Sequence, residues 1–508
     1  MARVNDVVLL ISSLSKSEKR YFKIFSSVQE GEKFYLVLFD LIDKGSAGRK
    51  DLKEQFEAAA KKASFEVTLK YLFKVLMKSM RAFDAEQNID SLLLRMMQDL
   101  RFLYSKGIDH EFMAQVEKLK STALKYEKNY YFLEAAQLEL EYYTRTNFQN
   151  VSEESLIEKQ TAINGVLEHE MKISHHSDLY QLLLHRFASK GVLRNENEKQ
   201  KFDDLVLSES HLIANPHYHS FHSQQLHMLF QSVYFRLIGS PELSLDLYHE
   251  LDVLFEKYDF LWTENPMYYV NVLEGILNNL HSIGNYDALP FFIEKLKAVK
   301  LKSREQEKLW EVIYPFEIIF HTGRGEFDAA KEVLLQNKDQ VNRSAKELLS
   351  ATNAKVFYYN ALLYFGLKEW KNALHSLNQI WNNDHSFVSY EILTVTRVLA
   401  LLVHYEMENF DYINYEIRGF ERNLKKNGAL YDLEKILFKF FRNAIKANDA
   451  ASAQKCLING NKDILRLLVK QQDNRLSVWF DIAAWFDAKI KRQPFALYTR
   501  NKFSASKN

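Results

Sequence analysis

The chain has 508 residues, of which 47% are hydrophobic and 14% aromatic, and its formal net charge is +1. This composition excludes a disordered chain, and the charge gives no support for a globally basic nucleic-acid-binding protein. There are only 15 glycines and 6 prolines, about a third of average usage. Because sheet proteins need many turns built from these residues, we predict an all-α fold of long helices joined by short loops.

The single cysteine, Cys456, excludes an intramolecular disulfide and a cysteine-based zinc site, and is typical of a reducing compartment. The apolar run at residues 7–11 is too short for a secretion signal. The later run at 398–403 is far shorter than the roughly 20 residues of a membrane helix. We therefore expect a cytoplasmic protein that does not contact a membrane.

The first 87 residues predict an N-terminal helical domain. Ser15 and Glu18 have the spacing of a capping box that begins a helix. Three more helices are expected at 34–42, 49–61 and 65–83. Helical apolar spacing continues through a region of degenerate hairpins at 88–234, with breaks near Gly107 and Asn129.

The helix predicted at 65–83 carries a basic stripe. Lys70, Lys74, Lys78 and Arg81 lie on one side, opposite a row of apolar residues. Residues 1–85 hold 16 Lys and Arg against 11 Asp and Glu. This stripe is either the solvated face of an amphipathic helix or a patch that contacts nucleic acid.

A repeat extends over residues 235–470, in which a turn precedes an aromatic residue and then a small or apolar one. The small position is occupied by Ala288, Ala330, Ala373, Ile413 and Ala453, at spacings of 42, 43, 40 and 40 residues. Nine of the ten positions that lie sixteen and twelve residues upstream are apolar. The pattern predicts repeated helical hairpins, which must stack because one hairpin cannot bury both of its faces.

The segment 357–374 resembles a tetratricopeptide repeat. Phe357, Ala361, Tyr364 and Ala373 match the aromatic, small, tyrosine and alanine positions of that family. The family period is about 34 residues, shorter than the period here, so the resemblance is to a tetratricopeptide-like array. It implies an α-solenoid of antiparallel helical hairpins that binds a protein or peptide. At 471–508 we expect a capping helix from Trp479 to Ile490 and a loose basic tail from Arg492.

Ligands of tetratricopeptide proteins commonly lie against the first helix of each hairpin. The resemblance places the following residues on that face: Leu273, Leu277, Ile319, Tyr358, Leu362, Val398, Leu402, Phe438 and Arg442. Pro315 also falls on this face, in the middle of a predicted helix. Since the face is almost wholly apolar, it is either a groove for a partner's amphipathic helix or a surface covered by the chain itself.

Ten of the 16 histidines lie between His169 and His249. On a helix, His219 and His222 would share a face and could hold a metal ion. No His-Glu-x-x-His motif accompanies them, so we predict scattered surface or half-buried histidines and no metal site. Nucleotide-binding glycine motifs and a nucleophile elbow are also missing from the sequence.

These observations predict a non-enzymatic protein–protein interaction scaffold or adaptor that needs no cofactor. The alternative is a regulator in which the N-terminal domain contacts nucleic acid and the repeat array senses a peptide or protein.

Overall fold

The computed structural model describes residues 4–27, 33–45, 49–61, 63–84, 88–190, 203–213, 220–263, 265–301, 303–346, 349–383, 388–426, 430–469 and 476–506. These residues form helices and turns and contain no strand, which confirms the all-α fold. None of the helices in these ranges is long and apolar enough to cross a membrane.

The chain divides into two compact units, the first of which comprises residues 1–171 and 301–306. Its helices are α1 Val4–Ser13, α2 Lys16–Ser27, α3 Phe34–Asp43, α4 Arg49–Ala59, α5 Phe65–Asp84, α6 Ile89–Lys106, α7 Asp109–Lys125, α8 Asn129–Arg145 and the first half of α9 Glu153–Lys190. The predicted capping box is present, because Ser15 N–H donates to Glu18 and Glu18 N–H donates to the Ser15 hydroxyl. The predicted break at Gly107 is a left-handed residue that ends α6.

This first unit contains two apolar clusters. One is built from α1–α5 and the other from α6–α8 with the start of α9. Beside the second cluster, Glu139 is only 1% exposed and accepts hydrogen bonds from Lys120 and Tyr143. Lys159 on α9 lies 2.7 Å from the same carboxylate, so this buried charge is compensated by two cations.

The second unit comprises residues 172–300 and 307–508. Its helices are the end of α9, α10 Asp203–Ile213, α11 Phe221–Ile238, α12 Pro241–Lys257, α13 Asp259–Trp262, α14 Met267–Ser282, a 3₁₀ turn Tyr286–Ala288, α15 Leu289–Lys297, α16 Ser303–Gly323 from residue 307 onward, α17 Phe327–Gln336, α18 Lys338–Ser344, α19 Ala351–Gly366, α20 Trp370–Trp381, α21 Tyr390–Glu406, α22 Phe410–Lys426, α23 Asp432–Ile445, α24 Ala450–Val469, α25 Leu476–Trp479, α26 Ile482–Ile490 and α27 Phe495–Ser506. Pro315 lies inside α16 and does not mark the start of a helix. The predicted domain boundaries at 87/88 and 234/235 fall inside the first and second unit, respectively.

One type of turn recurs in the second unit at four of the predicted positions. Gly284, Gly325, Lys368 and Glu408 each have a positive φ, between 57° and 75°. The N–H of the residue that follows each of them donates to a carbonyl five residues earlier, at 2.9 Å. This is the Schellman arrangement, which satisfies the last carbonyl groups of a helix. The aromatic residue of each of these repeats comes directly after this turn in the sequence.

Two of these aromatic side chains pack against a glycine of the following helix pair. Tyr286 lies over Gly323 at the end of α16, and Phe327 lies over Gly366 at the end of α19. A β-carbon at either glycine would overlap the ring. Helix pairs that are neighbours in sequence are therefore in direct contact at these two places.

The described residues after α24 pack against earlier helices of the same unit. The Trp479 ring lies 5.3 Å from the ring of Tyr358. We expected a loose tail from Arg492, whereas residues Phe495–Ser506 form a helix. The Phe495 ring stacks on Phe480 at 5.3 Å, and the Tyr498 hydroxyl donates to Asp487 at 2.8 Å. These contacts anchor the last helix.

Candidate partner-binding groove

An apolar stripe is exposed on α24. Ile458, Leu465 and Val469 are 48%, 44% and 84% exposed, and their spacing of seven and four residues puts them on one side of the helix. Exposed leucine or isoleucine side chains that stand singly are common, whereas three along one side of a helix form a candidate interaction surface. We call this surface the C-terminal groove.

The groove lies between α24 and α26 and has a volume of about 880 Å³. Besides the three stripe residues it is lined by Asn461, Lys462, Arg466, Asp487 and Ile490. The Asn461 amide donates to one oxygen of Asp487 at 2.6 Å, and the other oxygen accepts from the hydroxyl of Tyr498. The groove wall is therefore held by hydrogen bonds that occupy both carboxylate oxygens.

The sequence of α24 explains why its stripe points outward. Asp449 caps the helix, since its side chain accepts a hydrogen bond from the Ser452 N–H at 2.6 Å. Leu457, Ile464 and Leu467 form a second apolar stripe on the opposite side, and all three are buried. One stripe anchors the helix in the core and leaves the other to face solvent.

The edge of the groove is positively charged. Lys462 and Arg466 are both exposed and lie one helical turn apart. Arg466 has Asp463 at 3.9 Å, whereas Lys462 makes no ion pair with any described residue. An acidic partner would therefore find two accessible cations beside an apolar stripe.

The inner face inferred from the resemblance is not an open groove. Eight of its nine candidates are buried: Leu273, Leu277, Ile319, Tyr358, Leu362, Val398, Leu402 and Phe438. The Tyr358 hydroxyl donates to the backbone oxygen of Trp479 at 3.2 Å, and Phe438 packs on Phe420. The chain covers this face with its own segments, which is the second of the two alternatives.

Arg442, the ninth candidate, is exposed. It forms an ion pair with Glu421 on the preceding helix. Hydrogen bonds from Lys425 and Arg442 lower the pKa of that glutamate. Arg442 is therefore engaged within the fold.

The basic stripe of α5 is exposed as predicted. Lys70, Lys74, Lys78 and Arg81 all face solvent, while Leu72 and Leu76 on the other side are buried. None of the four cations forms an ion pair with a described residue. By contrast, Lys19 and Lys23 of the same cluster of helices have partners in Asp43 and Asp40.

His219 lies outside the described residues, and His222 is exposed. A different group of histidines from the same region does come together, and its geometry is given below.

The C-terminal groove was missed in the sequence because α24 was considered only as the second helix of a repeat. A signal was present, since two apolar stripes run along its 20 residues.

No protein-family model matches this chain, and neither a curated protein nor a solved structure shows detectable similarity to it.

Proposed function

We propose that the protein is a non-enzymatic scaffold or adaptor that binds an amphipathic helix of a partner protein in the C-terminal groove. The observation that carries the proposal is the exposed stripe of Ile458, Leu465 and Val469 beside a groove of about 880 Å³. Helix-in-groove recognition uses apolar anchors at such helical spacings. A cytoplasmic location fits the single cysteine.

The partner helix is an acidic one. Its apolar side lies against the stripe, and its carboxylates lie beside Lys462 and Arg466, which are exposed at the edge. Asp487, the one carboxylate among the described residues that line the groove, already accepts two hydrogen bonds. A basic helix would gain little from it.

The scaffold is a tetratricopeptide-like α-solenoid of antiparallel helical hairpins. The support for this architecture is the turn that recurs at Gly284, Gly325, Lys368 and Glu408. Further support is the packing of Phe327 of one repeat on a helix of the next. In such arrays each repeat contacts only its neighbours, so packing of one hairpin on the next is the contact this architecture requires.

A designed peptide tests the groove. The probe is a fluorescent amphipathic helix with leucines at i, i+3, i+4 and i+7 and glutamates along both edges, and its counterpart has lysines in place of the glutamates. Fluorescence anisotropy should show that the full chain binds the acidic peptide at least about tenfold more tightly. The Lys462→Glu/Arg466→Glu variant should reverse that preference.

Leu465→Glu should abolish binding, because it puts a charge in the middle of the stripe. Leu335→Glu is the matched control, since Leu335 is 50% exposed on a different helix. Both variants should keep the wild-type melting temperature. Equal peptide affinity of the two variants would contradict the proposal, and so would equal affinity of the wild type for the acidic and basic peptides.

A second function is favoured by one observation, the exposed cations of α5, none of which forms an ion pair with a described residue. Lys70, Lys74, Lys78 and Arg81 are exposed next to Tyr71, which is 49% exposed. Cations interleaved with an aromatic ring can hold nucleic acid by phosphate contacts and base stacking. The protein would then be a regulator that joins a nucleic acid to a partner protein.

A further inference from the structure

Three side chains from the histidine-rich region meet in the second unit. His176 comes from α9, Glu209 from α10 and His227 from α11. Glu209 Oε1 lies 3.4 Å from His176 Nε2 and 2.5 Å from His227 Nδ1. All three donor atoms lie within 4.8 Å of one another.

This group is enclosed by protein. The side chains of His176 and Glu209 are fully buried, and that of His227 is 30% exposed. The Phe230 ring packs against His176, with 6.0 Å between the centroids. A carboxylate in such a place needs a cationic partner or a set of hydrogen bonds.

The glutamate is oriented by a fourth residue. Gln231, one turn after His227 on α11, donates to Glu209 Oε2 at 2.7 Å. The other oxygen, Oε1, is thereby turned towards the two imidazole rings. A hydrogen bond that fixes a ligating carboxylate in this way is typical of the surroundings of a metal ion.

The donor set selects a class of ion. Two imidazole nitrogens and one carboxylate oxygen suit Zn²⁺, Fe²⁺ or Co²⁺. Ca²⁺ and Mg²⁺ prefer oxygen ligands only. Around an ion at 2.0–2.1 Å from each donor, the donors lie about 3.0–3.4 Å apart. The His176–Glu209 distance already fits this range, and the His227–Glu209 distance must lengthen by less than about 1 Å.

We propose that His176, Glu209 and His227 bind one divalent transition-metal ion of the Zn²⁺ class, which ties α9, α10 and α11 together. The three protein ligands leave at least one coordination position for water or another small ligand. This site is separate from the C-terminal groove and does not depend on the proposed partner-binding function.

The test uses the full-length chain after treatment with a chelator. Zn²⁺ titrated by calorimetry should bind with one ion per chain, and Co²⁺ should give the visible absorption of a bound ion. X-ray absorption of the zinc-loaded wild type should show nitrogen and oxygen ligands only, with two imidazoles. This last measurement does not depend on any variant.

Two variants probe the ligands. Glu209→Gln keeps the shape of the side chain, and His227→Gln keeps a donor near Glu209, so circular dichroism should report a folded chain for both. Each should weaken Zn²⁺ binding at least about tenfold. His175→Gln is the matched control, because His175 is exposed beside His176 on the same helix, and it should bind zinc like the wild type.

Several outcomes would overturn the proposal. The chelator-treated wild type could bind no zinc, in which case the group is a hydrogen-bonded histidine–glutamate cluster only. Zinc could bind equally well to the wild type, Glu209→Gln and His227→Gln, which would place the ion on surface histidines. X-ray absorption without two imidazole ligands would also exclude the site.

Discussion

Gly366 has no room for a side chain, because the buried ring of Phe327 lies over its α-carbon. Gly419 is also inside a helix, but apart from its two chain neighbours and the backbone of its own helix no described atom lies within 4 Å of where its β-carbon would be. Gly366→Ala should therefore destabilise the fold by about 1–3 kcal/mol through overpacking. Gly419→Ala should stabilise it by about 0.5–1 kcal/mol, since alanine favours the helix.

Thermal unfolding of both variants measures this difference within one unit of the chain. The melting temperature should fall for Gly366→Ala and rise slightly for Gly419→Ala. Equal melting temperatures would mean that the helix pairs do not meet at Phe327 as described.

His281 gives stability a pH dependence. Burial, together with Arg236 and Lys355, lowers its pKa to about 4, whereas the unfolded chain has a value near 6.5. As the pH falls, the unfolded state takes up the proton before the folded state does. The contribution of the neutral His281 ring to the free energy of unfolding is therefore complete above pH 6.5 and is lost as the pH falls to about 4. The loss between pH 7 and pH 5 should be about 2 kcal/mol.

The His281→Gln variant isolates this effect. Its free energy of unfolding should fall less steeply between pH 7 and pH 5 than that of the wild type, when measured by denaturant titration. His375→Gln, which changes an exposed histidine, should keep the wild-type slope. A wild-type slope in His281→Gln would show that this ring is not the group responsible.

At the residue scale, contacts between neighbours in sequence could be predicted, whereas contacts between residues far apart in sequence could not. The capping box of Ser15 and Glu18 is confirmed, and it was predictable because it depends only on residues that are close in sequence. The meeting of His176 with Glu209 joins residues 33 positions apart in sequence on two helices. That contact depends on how the helices pack, and no spacing rule reveals it.

Among the helices, α5 carries the alternative function, contact with nucleic acid through its basic stripe. The Lys70→Glu/Lys74→Glu/Lys78→Glu variant should lose nucleic-acid binding if the basic stripe is a contact surface, because phosphate contacts require the cations. The wild type should bind single- or double-stranded DNA or RNA with an affinity that falls steeply as salt rises. Filter binding at several salt concentrations measures both effects.

The matched control reverses the charge of three other exposed lysines of the same unit by substitution with glutamate: Lys106, Lys118 and Lys125. It changes the net charge by the same amount and leaves α5 intact. If the control loses as much affinity as the α5 variant, binding reflects net charge alone. If the wild type binds no nucleic acid, the stripe is a solvated helix face.

Helix positions were predictable where apolar periodicity and turn residues agree. The helices predicted at 34–42 and 65–83 correspond to Phe34–Asp43 and Phe65–Asp84. The last helix was not predicted, since its sequence alone has weak amphipathicity. Phe495 and Tyr498 hold it through contacts with Phe480 and Asp487, which only the folded chain supplies.

For the whole molecule, the low glycine and proline content was enough to predict the all-α fold. The side of each helix that stays exposed could not be predicted in the same way. Tyr358 and Leu362 are residue types that commonly line an apolar groove. In the folded chain, however, Tyr358 is covered by Trp479, 121 residues later in sequence. An exposed apolar stripe lies instead on α24, where no later described helix covers Leu465.

The most direct test of the partner-binding claim is site-specific photo-crosslinking in cells of the native host. A photoreactive amino acid replaces Leu465 in one variant and Leu335 in the other, and the adducts are identified by mass spectrometry with and without nuclease. We expect a discrete protein adduct at position 465, absent at position 335 and unaffected by nuclease. Equal labelling at the two positions, or adducts at 465 that disappear with nuclease, would contradict it.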